Sequence, residues 1–443
     1  MLMKLLKEWT EGKKVLLLGF GREGRSVCKR LTETGGYAAL GIADRNPVSD
    51  APEGAVLHIG EDYQAAIPEY DIVFKSPGIV LQEDYKPEKV TARITSLTEL
   101  FLSAYRDQCI GITGTKGKST TSSLLYHVLK TAGLPAVLGG NIGIPTADLY
   151  EQITPATVIV LEIGVHQLEY NHVSPHTAVF LNLYEEHLDH YGTFEYYAYC
   201  KENIYRNQVK GDLLICGQPG LPAEGDCKAE VLRLALDDEA ADISLINDVL
   251  CYGSEYLELP EKMPLTGTHN RYNCAVVFAI ATRLGVKPED ILHGIETFEP
   301  LPHRLSPIGT FDGIQWYDDS ISTACETCIE ALNALPETDT VLIGGMDRGI
   351  SYDPLLDYLT NSPVPHIILM SDSGKRIMEE AAGRPAALRD RLYYAENLEF
   401  AVALAKGLTA PGKICLLSPA AASYNSYKNF EERGNHFQAL AKG

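Results

Sequence analysis

Along the 443-residue chain, short continuous apolar runs alternate with stretches whose apolar residues recur at helical spacing, and the alternation restarts three times. Continuous apolar runs suit strands buried on both faces, and a strand-then-helix repeat predicts parallel sheets covered by helices. The first series opens with "KKVLLLGFGREGRSVCKRL", a buried strand at 15–18 that turns through glycines into a helix stopped by Gly35 and Gly36. The second opens with "CIGITGTKGKSTTSSLLYHVLKTAG", whose helix carries Leu124, Leu125, Val128 and Leu129 on one face and closes at Gly133. "ATVIVLEI" and "TAVFLNLY" supply further strands of that series. The third follows the proline-rich "FEPLPHRLSP" and holds "TVLIGGMD", "HIILMSDS" and "KICLLSPA", each ending in a polar or glycine turn. The expected fold class is α/β with three domains, at residues 1–107, 108–305 and 306–443. The outer two are expected to be Rossmann-like and the central one a P-loop ATPase type of α/β domain.

Composition narrows the functional classes. The net charge of -21 argues against nucleic acid or an anionic membrane as partner, so an anionic ligand must be held by local donors acting against the global field. "MLMKLLKEWTEGKK" has neither the long apolar core nor the small-residue cleavage site of a leader or membrane span, and a cytoplasmic protein is expected. Ten cysteines without regular spacing read as reduced, mostly buried thiols.

"ITGTKGKSTT" resembles a phosphate-holding loop but has Ile112 where the Walker pattern wants glycine. Its GKS triplet nevertheless sits between a strand and a helix. Backbone N–H groups and the helix dipole can therefore cradle phosphate, Lys118 can neutralise it, and Ser119 can offer a hydroxyl to Mg²⁺. Ligands of open α/β sheets gather at the carboxyl ends of strands, which brings in Glu162 after "VIVLE" and His187, Asp189 and His190 after "VFLNL". Taken singly, the glutamate also reads as a solvated turn residue and "HLDH" as a capping segment or a weak zinc pair.

With these residues in view, the chain resembles the Mur ligases, and among them the glutamate-adding branch. "TGTKGKST" departs from Walker but matches that family's form of the loop. "GGNIGIP" with Asn141, "LEIGVHQLE" with Glu162, "HLDHYGTFEYYAYCK", "GTHNRYN", "LPHR", "DDS", "GGMDRG" and "LLSPAAASYNSYKNFEERGNHF" follow in order across the whole chain. The resemblance implies an ATP-dependent, Mg²⁺-dependent ligase that joins glutamate to UDP-N-acetylmuramoyl-L-alanine through an acyl phosphate, acting as a monomer with no nucleic acid or membrane partner. It implies that Gly114, Thr115, Lys116, Gly117, Lys118, Ser119 and Thr120 bind ATP phosphates, with Asn270, Asn273, Arg304 and Asp319 on the nucleotide as well. It further implies that Lys118, Glu162, His187 and Lys201 are catalytic, and that Ser119, Glu162, His187 and Lys201 serve two metal ions, Lys201 as a carbamate. Residue type alone would leave Lys201 an ordinary surface lysine.

"GFGREG" at 19–24, with Asp44 twenty residues on, fits the dinucleotide fingerprint and taken alone suggests a nicotinamide oxidoreductase. The resemblance instead implies the diphosphate of a UDP-sugar at Gly19, Phe20, Gly21, Arg22, Glu23 and Gly24. Asp44, Arg45 or Asn46 would touch uridine, and Gly78 and Asn141 would complete that site. A folylpolyglutamate synthetase shares the central domain and is a further alternative.

For the amino acid, the resemblance implies Thr323, Arg348, Ser423 and Phe430, with Arg348 able to grip a carboxylate through paired hydrogen bonds. D-glutamate is expected, with L-glutamate or another amino acid as alternatives. Two departures bear on this: Ile321 stands where many relatives have lysine, and Gly164 and Val165 stand where they have serines. "CETC" at 325–328 has no second pair at zinc-ribbon spacing and reads as helix packing.

Overall fold

The computed structural model describes residues 1–142, 144–217, 220–223, 225–265 and 267–443, without the side chains of Leu188 and Asp189. By contact the chain forms two compact units, one of residues 1–263 and 272–298, the other of residues 264–271 and 299–443.

The first unit holds two sheets. In the five-stranded sheet, β1 (Lys14–Leu18), β2 (Ala39–Asp44), β3 (Val56–Ile59), β4 (Ile72–Lys75) and β5 (Arg93–Thr95) lie in the order β3-β2-β1-β4-β5. All its pairings are parallel. The nine-stranded sheet contains β6 (Cys109–Thr113), β7 (Ala136–Gly140), β8 (Val158–Glu162), β9 (Thr177–Phe180), β10 (Leu213–Cys216), β11 (Glu230–Leu236), β12 (Ile243–Ile246), β13 (Val249–Tyr252) and β14 (Glu255–Glu258). Its order is β14-β13-β12-β11-β10-β9-β6-β8-β7. β6 is buried along its whole length, as expected for a strand covered by helices on both faces. One apolar core runs from Leu2, Val15 and Phe74 through Phe101 to Leu161, Phe180 and Leu214, which is why both sheets belong to one unit.

The parallel reading fails at the edge, where β12, β13 and β14 pair antiparallel. Their first turn, Asn247-Asp248, has φ of 48° and 64° at its two residues. That left-handed pair is the backbone of a tight hairpin turn, which Asn and Asp tolerate better than other side chains.

The second unit holds β15 (Ser306–Phe311), β16 (Ile314–Asp318), β17 (Thr338–Gly344), β18 (His366–Met370), β19 (Leu392–Ala395) and β20 (Ile414–Leu417), in the order β15-β16-β20-β17-β18-β19. Only the β15–β16 pairing is antiparallel, through an Asp312-Gly313 turn with positive φ at both residues. Trp316, fully buried, packs edge-on against Phe437 of the C-terminal helix Phe430–Lys442 at a ring separation of 5.7 Å. Cys325 and Cys328 are buried in the first turns of the helix Cys325–Ala334, in agreement with the packing reading of "CETC".

Each sheet changes strand order beside one strand, and ligand crevices of open α/β sheets form at the carboxyl ends there. β6 lies between β8 and β9, β1 between β2 and β4, and β17 between β20 and β18.

Candidate active site

At the end of β6 the chain passes through Gly114 (φ 155°) and reaches Gly117 (φ 85°), which caps the helix Lys118–Thr131 in a left-handed conformation. The left-handed backbone at Gly117 favours glycine, and a Cβ there would also crowd Asn273 Oδ1 at 3.0 Å. The loop is stapled by Asn182, just beyond β9. Lys116 N donates to Asn182 Oδ1 (2.8 Å), Asn182 Nδ2 to Lys116 O (3.0 Å), and Thr115 N to Asn182 O (3.0 Å). Thr115 Oγ1 is 2.9 Å from the Tyr197 hydroxyl. Sequence reasoning missed Asn182, whose role depends on a partner 66 residues away.

Two lysine amines converge on one carbonyl. Lys118 Nζ donates to Gly114 O (2.9 Å) and Thr115 O (3.0 Å), and Lys201 Nζ donates to Gly114 O (2.9 Å). Against the expectation from residue type, Lys201 is only 1% exposed. Burial, with the nearby charge of Lys118, pushes its pKa well below that of an ordinary lysine and so favours the neutral amine. Lys116 pairs with Glu186 at 2.8 Å. Burial would raise the Glu186 carboxyl, but Lys116, His187 and Lys118 hold it at about 2.

Glu162 ends β8, in register with Ile112 of β6, and is 1% exposed. Its Oε1 accepts from Asn141 Nδ2 at 2.6 Å, while among the described residues its buried Oε2 has no hydrogen-bond partner. Gly140 (φ 101°) makes that contact possible, because a Cβ there would collide with the Glu162 carbonyl. Gly143 of the same "GGNIGIP" segment lies outside the described residues, as does the Asp189 side chain. Among the described residues, no three of His, Cys, Asp and Glu group as a metal site. An orphaned carboxylate oxygen at the end of β8, in register with the strand that feeds the phosphate loop, still suits Mg²⁺, which takes one or two carboxylates and leaves its other positions to phosphate and water. Ser119 is buried at the first turn of the loop's helix.

His187 has φ 58° and its ring lies 4.9 Å from that of His166 and 6.4 Å from that of Tyr197. His166 also stands 4.5 Å from His190, ring to ring, with Nδ1 2.7 Å from the Tyr191 hydroxyl. Burial and the two neighbouring imidazoles push its pKa down to about 3. His190 Nε2 and Lys75 Nζ both reach Glu169 Oε2, at 3.2 Å and 3.1 Å, in a buried network that the sequence did not reveal.

In the five-stranded sheet, Gly19 (φ 90°) and Gly24 let the turn close on itself, since a Cβ at Gly24 would strike the Gly19 carbonyl. Asp44 Oδ2 accepts from Phe20 N and its Oδ1 from Asn46 N, both at 2.8 Å. Both Asp44 oxygens therefore order this loop, while exposed Arg45 pairs with Glu61 at 3.3 Å. Glu23 Oε1 accepts from Gln167 Nε2 at 2.7 Å, joining the first glycine turn to the segment after β8. Gly21, Arg22 and Gly78 are on the surface of this turn cluster or near it.

In the second unit Asp319, Thr323, Arg348 and Ser423 lie on the segments that follow β16, β17 and β20, Arg304 lies just before β15, Phe430 opens the C-terminal helix, and Asn270 is buried on the segment 264–271. Asp319 accepts from Ser418 Oγ (2.8 Å) and Leu305 N (3.1 Å), and burial pushes its carboxyl up to about 7. Ser423 is buried, Thr323 and Phe430 are half-buried, and Arg348 is exposed.

Residues 112–281 match the Mur ligase middle domain. The chain is 33% identical over 401 residues to a UDP-N-acetylmuramoylalanine–D-glutamate ligase of Symbiobacterium thermophilum, covering 88% of each chain. It is 31% identical to one of Listeria monocytogenes, covering 96% of this chain and 95% of the relative. Its fold is similar to the crystal structure of MurF ligase from Thermotoga maritima in complex with ADP, at TM-score 0.60 and 16% identity, over 99% of both chains. Identity at this level along nearly the whole length, joined to the loop after β6 and the buried glutamate beside it, means that the chain belongs to the Mur ligases, in their UDP-N-acetylmuramoylalanine–D-glutamate ligase family.

Proposed function

We propose that the chain is the cytoplasmic, ATP-dependent ligase that joins D-glutamate to UDP-N-acetylmuramoyl-L-alanine in peptidoglycan precursor synthesis. The observation that carries this reading is the convergence of Lys118 and Lys201 on Gly114 O, in a loop fed by the strand that pairs with the one ending in Glu162, within a chain whose full-length relatives bear that name. A nicotinamide oxidoreductase would leave the phosphate loop and the buried carboxylate without a task. We read the division of labour as three domains, residues 1–107 for UDP, 108–305 for ATP and 306–443 for the amino acid, in a monomer.

The chemistry follows from charge. A substrate carboxylate and the γ-phosphate repel, so their approach requires cations placed in advance. The backbone N–H groups from Gly114 to Thr120 hold the phosphates, and Lys118 exchanges its carbonyl contacts for phosphate oxygen. Ser119, Glu162 and His187 are the residues that would hold Mg²⁺, which when bound neutralises the phosphates and the approaching carboxylate. Lys201, whose burial favours the neutral amine, adds to CO₂ through its lone pair and releases one proton to water; the resulting carbamate is an anion on a long stem that would serve as a further ligand for Mg²⁺, and its nitrogen retains one N–H. Transfer of the γ-phosphoryl group gives an acyl phosphate and ADP. The glutamate amine then attacks the activated carbonyl, and phosphate leaves as the amide forms. Arg348, Thr323 and Ser423 hold the glutamate carboxylates, and Phe430 bounds the pocket. Neither Ile321 nor the Gly164-Val165 pair adds a donor, so the grip on the amino acid rests on this remaining set.

The test is phosphate release measured over a panel of amino acids in both isomers, with and without UDP-N-acetylmuramoyl-L-alanine. The expected result is release only with the UDP-sugar and D-glutamate together. Equal release with L-glutamate or with no UDP-sugar would overturn the reading.

A further inference from the structure

The C-terminal helix Phe430–Lys442 buries a cation whose hydrogen-bond partners are all neutral, with the Asp318 and Asp319 carboxyls acting on it only at longer range. Arg433 is 2% exposed, and among the described residues no carboxylate lies within ion-pair distance of it. Its Nε donates to Ser320 Oγ (3.0 Å), Nη2 to Ser320 O (2.7 Å), and Nη1 to Ala421 O (3.0 Å) and Ala422 O (3.3 Å). Burying a charge against neutral oxygens is costly, and a core of this size could be filled by a leucine or methionine. What the guanidinium adds is a planar fork of fixed geometry that ties separate backbone segments to one point.

Those segments are the ones that carry the proposed glutamate-binding residues. Ser320 lies three positions before Thr323, Ala422 directly precedes Ser423, and Phe430 is one helical turn before Arg433. Ser320 Oγ in turn donates to Phe430 O at 2.8 Å, so the helix start is tied to the same turn. The loop that leads to Arg348 joins through Gly345, where a Cβ would stand 2.9 Å from Arg433 Nη1 and strike the Ala422 carbonyl. Met346 N donates to Ala422 O at 2.8 Å, fixing that loop against the one before Ser423. The next helix residue, Gly434, leaves room for the His303 ring, whose Nδ1 is 2.6 Å from Asp318 Oδ2.

We propose that Arg433 is the positioning residue of the amino-acid pocket: its buried fork sets the mutual spacing of Thr323, Arg348, Ser423 and Phe430, and so the shape that receives the glutamate carboxylates. This rests on the assignment of those residues to glutamate. An ammonium cannot span the same carbonyls, so Arg433→Lys keeps the charge and loses the spacing.

The test compares full-length Arg433→Lys, Gly345→Ala and a packing control, Phe437→Leu, on the same helix but facing Trp316. In Arg433→Lys and Gly345→Ala, KM for D-glutamate rises about tenfold or more while KM for ATP and for the UDP-sugar stays within about twofold, as expected when only the geometry of one subsite is lost. Phe437→Leu lowers the melting temperature and leaves KM for D-glutamate unchanged. A wild-type KM for D-glutamate in either pocket variant would overturn the proposal. So would the same rise in Phe437→Leu. If Arg433→Lys fails to fold, Gly345→Ala, which leaves the arginine in place, decides alone. Absence of D-glutamate-dependent turnover in the wild-type enzyme would instead strike at the glutamate assignment itself.

Discussion

The Asp319 carboxyl makes a prediction whose sign and size can be worked from its surroundings. It is buried and bonded to Ser418 Oγ and Leu305 N, and its pKa lies at about 7, against an ordinary value of 3.8. The native state therefore holds this proton more tightly than the unfolded chain. Between about pH 4 and pH 7 the unfolded chain has lost the proton while the folded protein retains it, so this group makes stability fall as pH rises through that window. The full difference is at most ~4 kcal/mol by pH 8, and relaxation around the ionised group would leave roughly half. Asp319→Asn removes the ionisation and keeps an amide oxygen for Leu305 N. The expected outcome is a gain of about 1 kcal/mol or less at pH 5 and of about 2 kcal/mol at pH 8, the latter raising the melting temperature by ~4–8 °C for a unit of this size. Differential scanning calorimetry at the two pH values checks it. Equal destabilisation by the substitution at pH 5 and pH 8 would refute the burial argument.

Other substitutions address the phosphate loop and its neighbours. Lys201→Ala should lower kcat by at least ~100-fold while nucleotide affinity changes little, with partial recovery on adding formate or acetate; full unrescued activity would remove Lys201 from the mechanism. Gly117→Ala forces a side chain into a left-handed position against Asn273, and should cost about 1–2 kcal/mol of stability together with most of the ATP affinity, read by calorimetry. Glu162→Gln keeps the shape and the Asn141 contact but replaces the orphaned oxygen with an amide. It should weaken Mg²⁺-dependent nucleotide binding about tenfold or more and leave metal-free binding unchanged. Asn182→Ala unstaples the loop without touching phosphate, and should raise KM for ATP with a smaller effect on the melting temperature.

What could be read from the chain was local. The GKS triplet announced its loop because strand, glycines and helix are consecutive, and the continuous apolar runs around 158–162 and 338–344 announced buried parallel strands. The antiparallel edges were not found, although Asn247-Asp248 and Asp312-Gly313 are turn pairs flanked by strand residues. A reading built on continuous apolar runs passes over half-exposed strands such as Ser306–Phe311. The parts of the site that escaped are those set by distant partners. Arg433 meets Ser320 across 113 positions, and Lys75 meets Glu169 across 94. No periodicity in either segment records those meetings. Lys201 shows the same limit from the other side: residue type makes it an ordinary surface lysine, and only the fold reveals that the amine is buried against Gly114 O.

The central claim is that the loop after β6 and the buried Glu162 together hold a metal-bound nucleotide triphosphate. The most direct measurement is a crystal structure of the protein with a non-hydrolysable ATP analogue and Mn²⁺, the metal located by its anomalous signal. The account predicts phosphate density along residues 114–120 and an anomalous peak within coordination distance of Glu162 Oε2. Phosphates lodged elsewhere, or a metal with no contact to Glu162, would contradict it.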